Sequence, residues 1–173
     1  MPFTIRPMGW ADLDQVLEID RMSFSLPWPE SAYRYELADN PASLLWVAEA
    51  TPPESEWADI AGMIVVWLIL DEAHIATLAV HPDYRGRGIS RQLLSVALYE
   101  SAHKGARRAM LEVRAGNLVA QNLYRKFGFE VVSRRPHYYK DNNEDALLMN
   151  LDPLGEQYLG WLESQLPATD ELR

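Results

Sequence analysis

The hydrophobic pattern of the chain switches between a two-residue and a three-to-four-residue period, and each switch marks the edge of an element. Phe3 to Arg6 reads as a short strand stopped by Pro7. Behind Asp12, a residue suited to cap a helix, Leu13, Val16, Leu17 and Ile19 recur at helical spacing. Ser25-Leu26-Pro27-Trp28-Pro29 breaks that helix, because a proline ring inside a helix removes a hydrogen bond and clashes with the preceding turn. A second helix is predicted from about Glu30 to Ala38, before Asn40-Pro41.

Three strands follow, Ser43 to Ala50, Ile60 to Leu70 and Ala73 to Val80, the first two separated by a polar turn at Thr51-Pro52-Pro53-Glu54-Ser55. Their β-branched content and spacing predict an antiparallel meander. After His81-Pro82 and a loop from Asp83 to Gly88, Ile89, Leu93, Leu94, Ala97 and Leu98 line one side of a long helix, closed by Lys104-Gly105. Arg108 to Ala115 reads as a strand and Leu118 to Phe127 as a helix ending on a left-handed Gly128. Phe129 to Ser133 and Ala146 to Leu151 read as two strands joined by a hairpin tipped with Asp-Asn-Asn-Glu-Asp. Leu154 to Leu166 reads as a last helix, followed by a disordered tail. This order predicts an α/β fold with a mixed sheet and helices on both faces.

Length and composition narrow the class. The 173 residues suit one domain with a sizeable core, and 48% hydrophobic against 24% charged residues is an ordinary globular balance. The apolar run from Ile60 to Leu70 is too short for a membrane span, and Met-Pro-Phe-Thr-Ile-Arg lacks the features of a signal peptide. Cysteine is absent, which excludes disulfides, Cys-based zinc sites and a thiol nucleophile, and fits a cytoplasmic protein. The four histidines, at 74, 81, 103 and 137, lack paired ligand spacing, so no metal is expected.

Charge is unevenly spread. Residues 85–140 hold 12 basic residues and three acidic ones (+9), whereas the remainder holds four basic and 22 acidic (−18). The asymmetry suits a basic region for an anionic ligand in a body that attracts cations, and it suits solvated helix and strand faces as well. A net charge of −9 disfavours nucleic acid as the main partner.

The basic segment opens on Arg85-Gly86-Arg87-Gly88-Ile89-Ser90-Arg91, between a strand and a helix. Glycines let a backbone turn tightly and approach a ligand closely, and amides at a helix start attract an anion. The loop therefore reads as a phosphate or pyrophosphate cradle. No Gly-Lys-[Ser/Thr] follows, as a P-loop requires, and GxGxxG is absent.

Leu78-Ala79-Val80-His81-Pro82-Asp83-Tyr84 followed by that loop resembles the acetyl-CoA motif of the GNAT acetyltransferases, [Arg/Gln]-x-x-Gly-x-[Gly/Ala], with Ser90 in place of the final Gly or Ala. Downstream, Leu111 to Asn117 and Ala120 to Phe129 are similar to the second half of that fold. Glu112-Val-Arg, Asn117, Tyr124, Gly128-Phe129, Tyr138-Tyr139 and Glu144-Asp145-Ala146 together resemble the RimI branch, bacterial N-alpha-acetyltransferases acting on the N-terminal alanine of ribosomal protein S18. The resemblance runs from about residue 3 to 151, giving a GNAT domain over 1–152. It leaves Pro52 to Asp59 and a helical extension and tail over 153–173 unexplained.

The resemblance implies a mostly antiparallel GNAT sheet, acetyl-CoA as co-substrate, and a protein N-terminus as acceptor. Cofactor contacts fall on Leu78, Ala79 and Val80, on Arg85, Gly86, Arg87, Gly88, Ile89, Ser90 and Arg91, and on Asn117. Glu112 becomes the general base and Tyr124 the general acid; acceptor contacts fall on Trp28, His137, Tyr138 and Tyr139. Spacing alone reads these residues differently. Glu112 fits a strand glutamate paired with Arg114 or Arg107, Tyr124 an aromatic covering the core, and Asn117 a helix cap. The backbone N–H of Val80, at a strand end, fits a donor to a reacting carbonyl. The acidic flanks, including the hairpin tip from Asp141 to Asp145, would attract a basic peptide. Competing functions are a GNAT enzyme for lysine side chains or small amines, and a non-catalytic acetyl-CoA-binding module.

Overall fold

The computed structural model describes residues 3–50 and 59–167. Seven strands form one sheet in the order β1-β2-β3-β4-β5-β7-β6. They are β1 (Phe3–Pro7), β2 (Ser43–Ala50), β3 (Ile60–Ile69), β4 (Glu72–Val80), β5 (Arg108–Arg114), β6 (Glu130–Arg135) and β7 (Ala146–Leu151). The helices are α1 (Leu13–Ser23), α2 (Glu30–Ala38), α3 (Ile89–His103), α4 (Leu118–Lys126) and α5 (Glu156–Glu163). The expected meander is present, with β2–β3 and β3–β4 antiparallel. The expected turn at 51–55 falls outside the described residues, as does the expected disordered tail beyond Pro167.

Strand alternation divides the core into two layers. Trp46, Ala48, Ile64, Val66, Leu111, Val113 and Met149 face α3 and α4, against Leu93, Leu94, Leu98 and Phe127. Val47, Met63, Val65 and Ala79 face α1 and α2, against Val16, Leu17, Ile19 and Tyr33. No helix among the described residues is long and apolar enough to cross a membrane.

Two local expectations change. Asp12 makes no capping hydrogen bond to α1. Its carboxylate is gripped by both terminal nitrogens of Arg6 at 2.8 Å and accepts the Gly9 N–H at 2.8 Å, so it closes the 3-10 turn Trp10–Asp12. The last helix is shorter than its periodicity suggests. Pro153 and Gly155 delay its start to Glu156, while Leu154 and Leu162 are buried in the same core as α3.

The parallel pairing of β4 with β5 is brief, from Glu72↔Arg108 to His74↔Met110. Just beyond it the register of β4 against β3 shifts: Val66 pairs with Ile75 but Val65 with Thr77, which leaves Ala76 as an extra residue. A bulge bends its strand and raises the local twist. The C-terminal half of β4 diverges from β5, and the sheet splits there.

α3 must lie close to the sheet to bring its first turn to that split. Gly62 provides the approach, since a Cβ there would stand 3.0 Å from the Ala79 carbonyl oxygen, 3.1 Å from Leu93 and 3.2 Å from Ile89. Gly62→Ala should therefore destabilise the fold by about 1–3 kcal/mol. Equilibrium urea unfolding measures this, and an unchanged midpoint would contradict the packing.

Candidate active site

A cleft of about 820 Å³ opens where β4 and β5 part. Leu78, Ala79 and Val80 form one edge, the loop from Arg85 to Arg91 one end, and Asn117, Leu123 and Tyr124 the opposite wall. The main chain of β4 is exposed to it. His81 N donates to Ala61 O at 2.8 Å, and Val80 is the next position in the same register, opposite Gly62. In an antiparallel ladder successive residues point their polar groups to opposite sides. The N–H and C=O of Val80, and likewise of Leu78, therefore turn away from β3 toward the gap. Arg85 Nε donates to Val80 O at 3.2 Å, which pins the start of the loop to that edge.

Gly86 and Gly88 have φ of +79° and +78°, values that L side chains rarely adopt, and a Cβ on either would meet nothing within 4 Å. The loop thus shows bare backbone to the cleft ahead of the 15-residue α3, whose dipole favours an anion. Of the loop arginines, Arg85 and Arg91 line the cleft. Arg87 does not; its guanidinium lies over the Tyr84 ring at 5.1 Å. Asn117 caps α4, its side-chain oxygen accepting Ala120 N–H at 3.1 Å, and it lines the cleft as well.

Glu112 stands on the sheet face toward α1 and α2. Its carboxylate meets His74 Nε2 at 2.7 Å, and neither Arg114 nor Arg107 is its partner. The His74 hydrogen bond holds the Glu112 carboxyl below the usual carboxylate range, against the opposing effect of burial. His74 in turn packs edge-on against Trp67 at 5.3 Å, and Trp67 stacks on Trp28 at 6.0 Å. Sequence reading passed over His74, because only the β4–β5 register brings it beside Glu112.

Tyr124 stands on the other face, 8% exposed, packed edge-on against Phe129 at 5.8 Å. Burial raises its pKa, and its hydroxyl makes no hydrogen bond among the described residues. Tyr139 links the two sides electrostatically: its charge raises Tyr124, and the Glu112 charge raises Tyr139. Burial is the main reason that the Tyr139 phenol is pushed up to about 12.

The residues assigned to the acceptor lie outside the cleft's lining. Trp28 is largely packed inward, between Trp67 and Tyr33. His137 adopts φ +53° and shapes the hairpin, its N–H donating to Asp145 at 3.0 Å. Tyr138 is 42% exposed and meets Tyr139 edge-on at 5.1 Å.

The hairpin acids expected to attract a basic peptide are committed within the chain. Asp141 and Glu144 bind Arg114 at 3.0 and 3.3 Å, and Asp145 binds Arg134 at 2.6 Å. Arg114 also lies over the Tyr139 ring at 4.0 Å and donates to Ser25, which itself hydrogen-bonds Asp141. Much of the charge asymmetry is thus internal pairing. Among the described residues no group of three or more His, Asp or Glu side chains is placed to hold a metal.

Residues 13–129 match the Acetyltransferase (GNAT) family. The chain belongs to this family. A Bacillus subtilis protein provisionally named ribosomal protein bS18-alanine N-acetyltransferase is 39% identical over 145 residues, covering 84% of this chain and 92% of its own. The ribosomal protein bS18-alanine N-acetyltransferase of Escherichia coli K12 is 31% identical over 150 residues, covering 86% and 96%. The crystal structure of the Escherichia coli enzyme superposes with a TM-score of 0.76 at 30% identity, covering 89% of this GNAT chain and 97% of that one. The NatC complex bound to Gag peptide and CoA gives 0.78 at 25% identity, covering 88% and 99%. The RimI resemblance read from the sequence agrees with these relatives.

Replacing His74 with Phe removes the main influence holding the Glu112 carboxyl down and leaves burial opposed only by Arg135 and a backbone hydrogen bond. Carbon-13 NMR of that carboxyl should show its pKa moving up. A carboxyl with a depressed folded pKa stabilises the fold above its unfolded pKa, and this is lost as pH falls through the folded value. The stability gap between wild type and H74F should accordingly shrink from about pH 7 to about pH 3. A gap that stays constant would mean that the pair is not ionic.

Proposed function

We propose that this chain transfers the acetyl group of acetyl-CoA to the N-terminal α-amine of a protein, with the N-terminal alanine of ribosomal protein S18 as its acceptor. The observation that carries the reading is the split in the sheet. It sets an ionised Glu112 on one face, a protonated Tyr124 on the other, and the Val80 N–H on the edge between them. Identity with the bS18-alanine enzymes supports the acceptor, and that acceptor sets the work in the cytoplasm.

The cleft fits the cofactor. The backbone groups of Leu78 and Val80 are turned to meet the amides of a pantetheine arm, and Asn117 stands across from them. The bare Gly86–Gly88 backbone, the α3 amides and Arg85 suit a pyrophosphate, and Arg91 adds positive charge to the same end of the cleft. Acetyl-CoA supplies the acetyl group as a thioester. Val80 N–H polarises a carbonyl placed in the gap. Glu112 takes the proton of the attacking nitrogen, directly or through a water. Tyr124, kept protonated by burial, gives its proton to the departing sulfur as the new amide bond forms. With no cysteine in the chain, transfer is direct, within a ternary complex. An α-amine, with a pKa of about 8 against about 10.4 for lysine, is the easier nucleophile to deprotonate for a carboxylate this acidic.

Glu112→Gln should lower kcat by about 10²–10⁴ at neutral pH while acetyl-CoA affinity changes little. Tyr124→Phe should do the same, with a smaller loss for acetyl donors whose leaving thiol is more acidic. Steady-state kinetics with calorimetric binding measures both, and near-normal turnover in either variant rejects that residue's role.

A peptide panel tests the acceptor. Peptides beginning with alanine and carrying a free N-terminus should be acetylated, whereas N-terminally blocked peptides with internal lysine should not. Rapid modification of the blocked peptides would reassign the enzyme to lysine side chains.

A further inference from the structure

The segment from Leu154 onward is the part of the chain that the family resemblance leaves unexplained, and its position is specific. Leu154 and Leu162 are buried, the Leu154 N–H donates to Arg107 O at 2.8 Å, and the Tyr158 hydroxyl donates to Phe127 O at 2.6 Å. These contacts fix α5 against the end of α4. One turn further, the Gln165 side-chain oxygen accepts a hydrogen bond from Arg91, in the first turn of α3. Trp161 therefore sits between the end of α4 and the start of α3, packed edge-on to Phe127 at 5.5 Å and tilted on Tyr158 at 5.4 Å. It is 39% exposed, and it lines the cleft.

Arg91, Asn122 and Lys126 line the same cleft. Neither Arg91 nor Lys126 pairs with a carboxylate among the described residues, although the basic residues Arg108, Arg114 and Arg134 of the same segment all do. A partly exposed indole held by core contacts, sharing its cleft with two unspent cations and an amide, is suited to a planar base bearing a phosphate. Aromatic side chains stack on bases of any type, and cations supply the charge for the phosphate.

We propose that α5 completes the cofactor site: Trp161 stacks on the adenine of CoA, and Arg91 and Lys126 bind its 3′-phosphate. This rests on the cofactor assignment made above and adds to it the class of group held at the outer end of the cleft. The order along the cleft is consistent. Thioester chemistry belongs near Tyr124, the pyrophosphate at Gly86–Gly88, and the nucleoside beyond it, where α5 crosses. Gln165 holds the Arg91 guanidinium at that end without neutralising it.

Calorimetric titration of the full chain with CoA, dephospho-CoA and acetyl-pantetheine tests the subsite. The wild type should bind CoA more tightly than dephospho-CoA, and both more tightly than acetyl-pantetheine. Trp161→Ala should weaken CoA by about 5- to 150-fold, the range of a base–aromatic stack, and leave acetyl-pantetheine unchanged. Trp161→Phe, which keeps a ring against Phe127, should retain most of the affinity. Lys126→Ala should narrow the preference for CoA over dephospho-CoA. The subsite is overturned if wild type binds CoA and acetyl-pantetheine equally, or if Trp161→Ala weakens both ligands alike, as a merely structural tryptophan would. Failure of wild type to bind any of the three would overturn the acetyl-CoA reading itself.

Discussion

Ala76 has no partner in β3, because Val65 pairs with Thr77 and Val66 with Ile75, and β4 takes up the extra residue by bending. Pairing with β5 stops at His74↔Met110, one residue before the register changes. Everything proposed for the site depends on that separation. An unbroken sheet would bury the Val80 and Leu78 backbone groups in a β4–β5 ladder and leave no passage between the faces carrying Tyr124 and Glu112. The bend exposes the edge of a strand in the interior of the sheet.

Around this gap, rigidity comes from polar contacts as much as from the core. Asp20 is 1% exposed and accepts the Tyr33 hydroxyl, which ties α2 to α1. Arg114 gathers Asp141, Glu144 and Ser25 and covers Tyr139. These are partly shielded, multidentate contacts, in which an arginine fork gains more than in an isolated surface pair. They draw the α1–α2 segment and the β6–β7 hairpin together on the Glu112 side of the sheet. Three cations that pair with no carboxylate among the described residues, Arg85, Arg91 and Lys126, lie along the cleft, where an anionic cofactor is expected.

Most elements were legible because the apolar period is local. The ranges Glu30–Ala38 and Ser43–Ala50 fall where the pattern places them, and Gly128 takes the left-handed conformation expected after α4. Local capping was less legible. Asp12 is a good cap by type, but Arg6, six residues earlier in β1, captures both of its oxygens. The acidic hairpin likewise reads as a solvated, peptide-attracting charge until its partners in β5 and β6 are known.

The sequence by itself determined the element order and the glycine-arginine loop between a strand and a helix, and the family motif singled out Glu112, Tyr124 and Asn117 as candidates for the proposed roles. Such features are set by residue type and spacing within one segment. Only the tertiary structure decided that Glu112 pairs with His74, that Arg87 turns to Tyr84 while Arg91 stays in the cleft, and that Trp161 reaches the cleft. Each of these joins residues on different elements, and the registers and crossings that bring them together follow from how the whole core packs, beginning with one unpaired residue in β4.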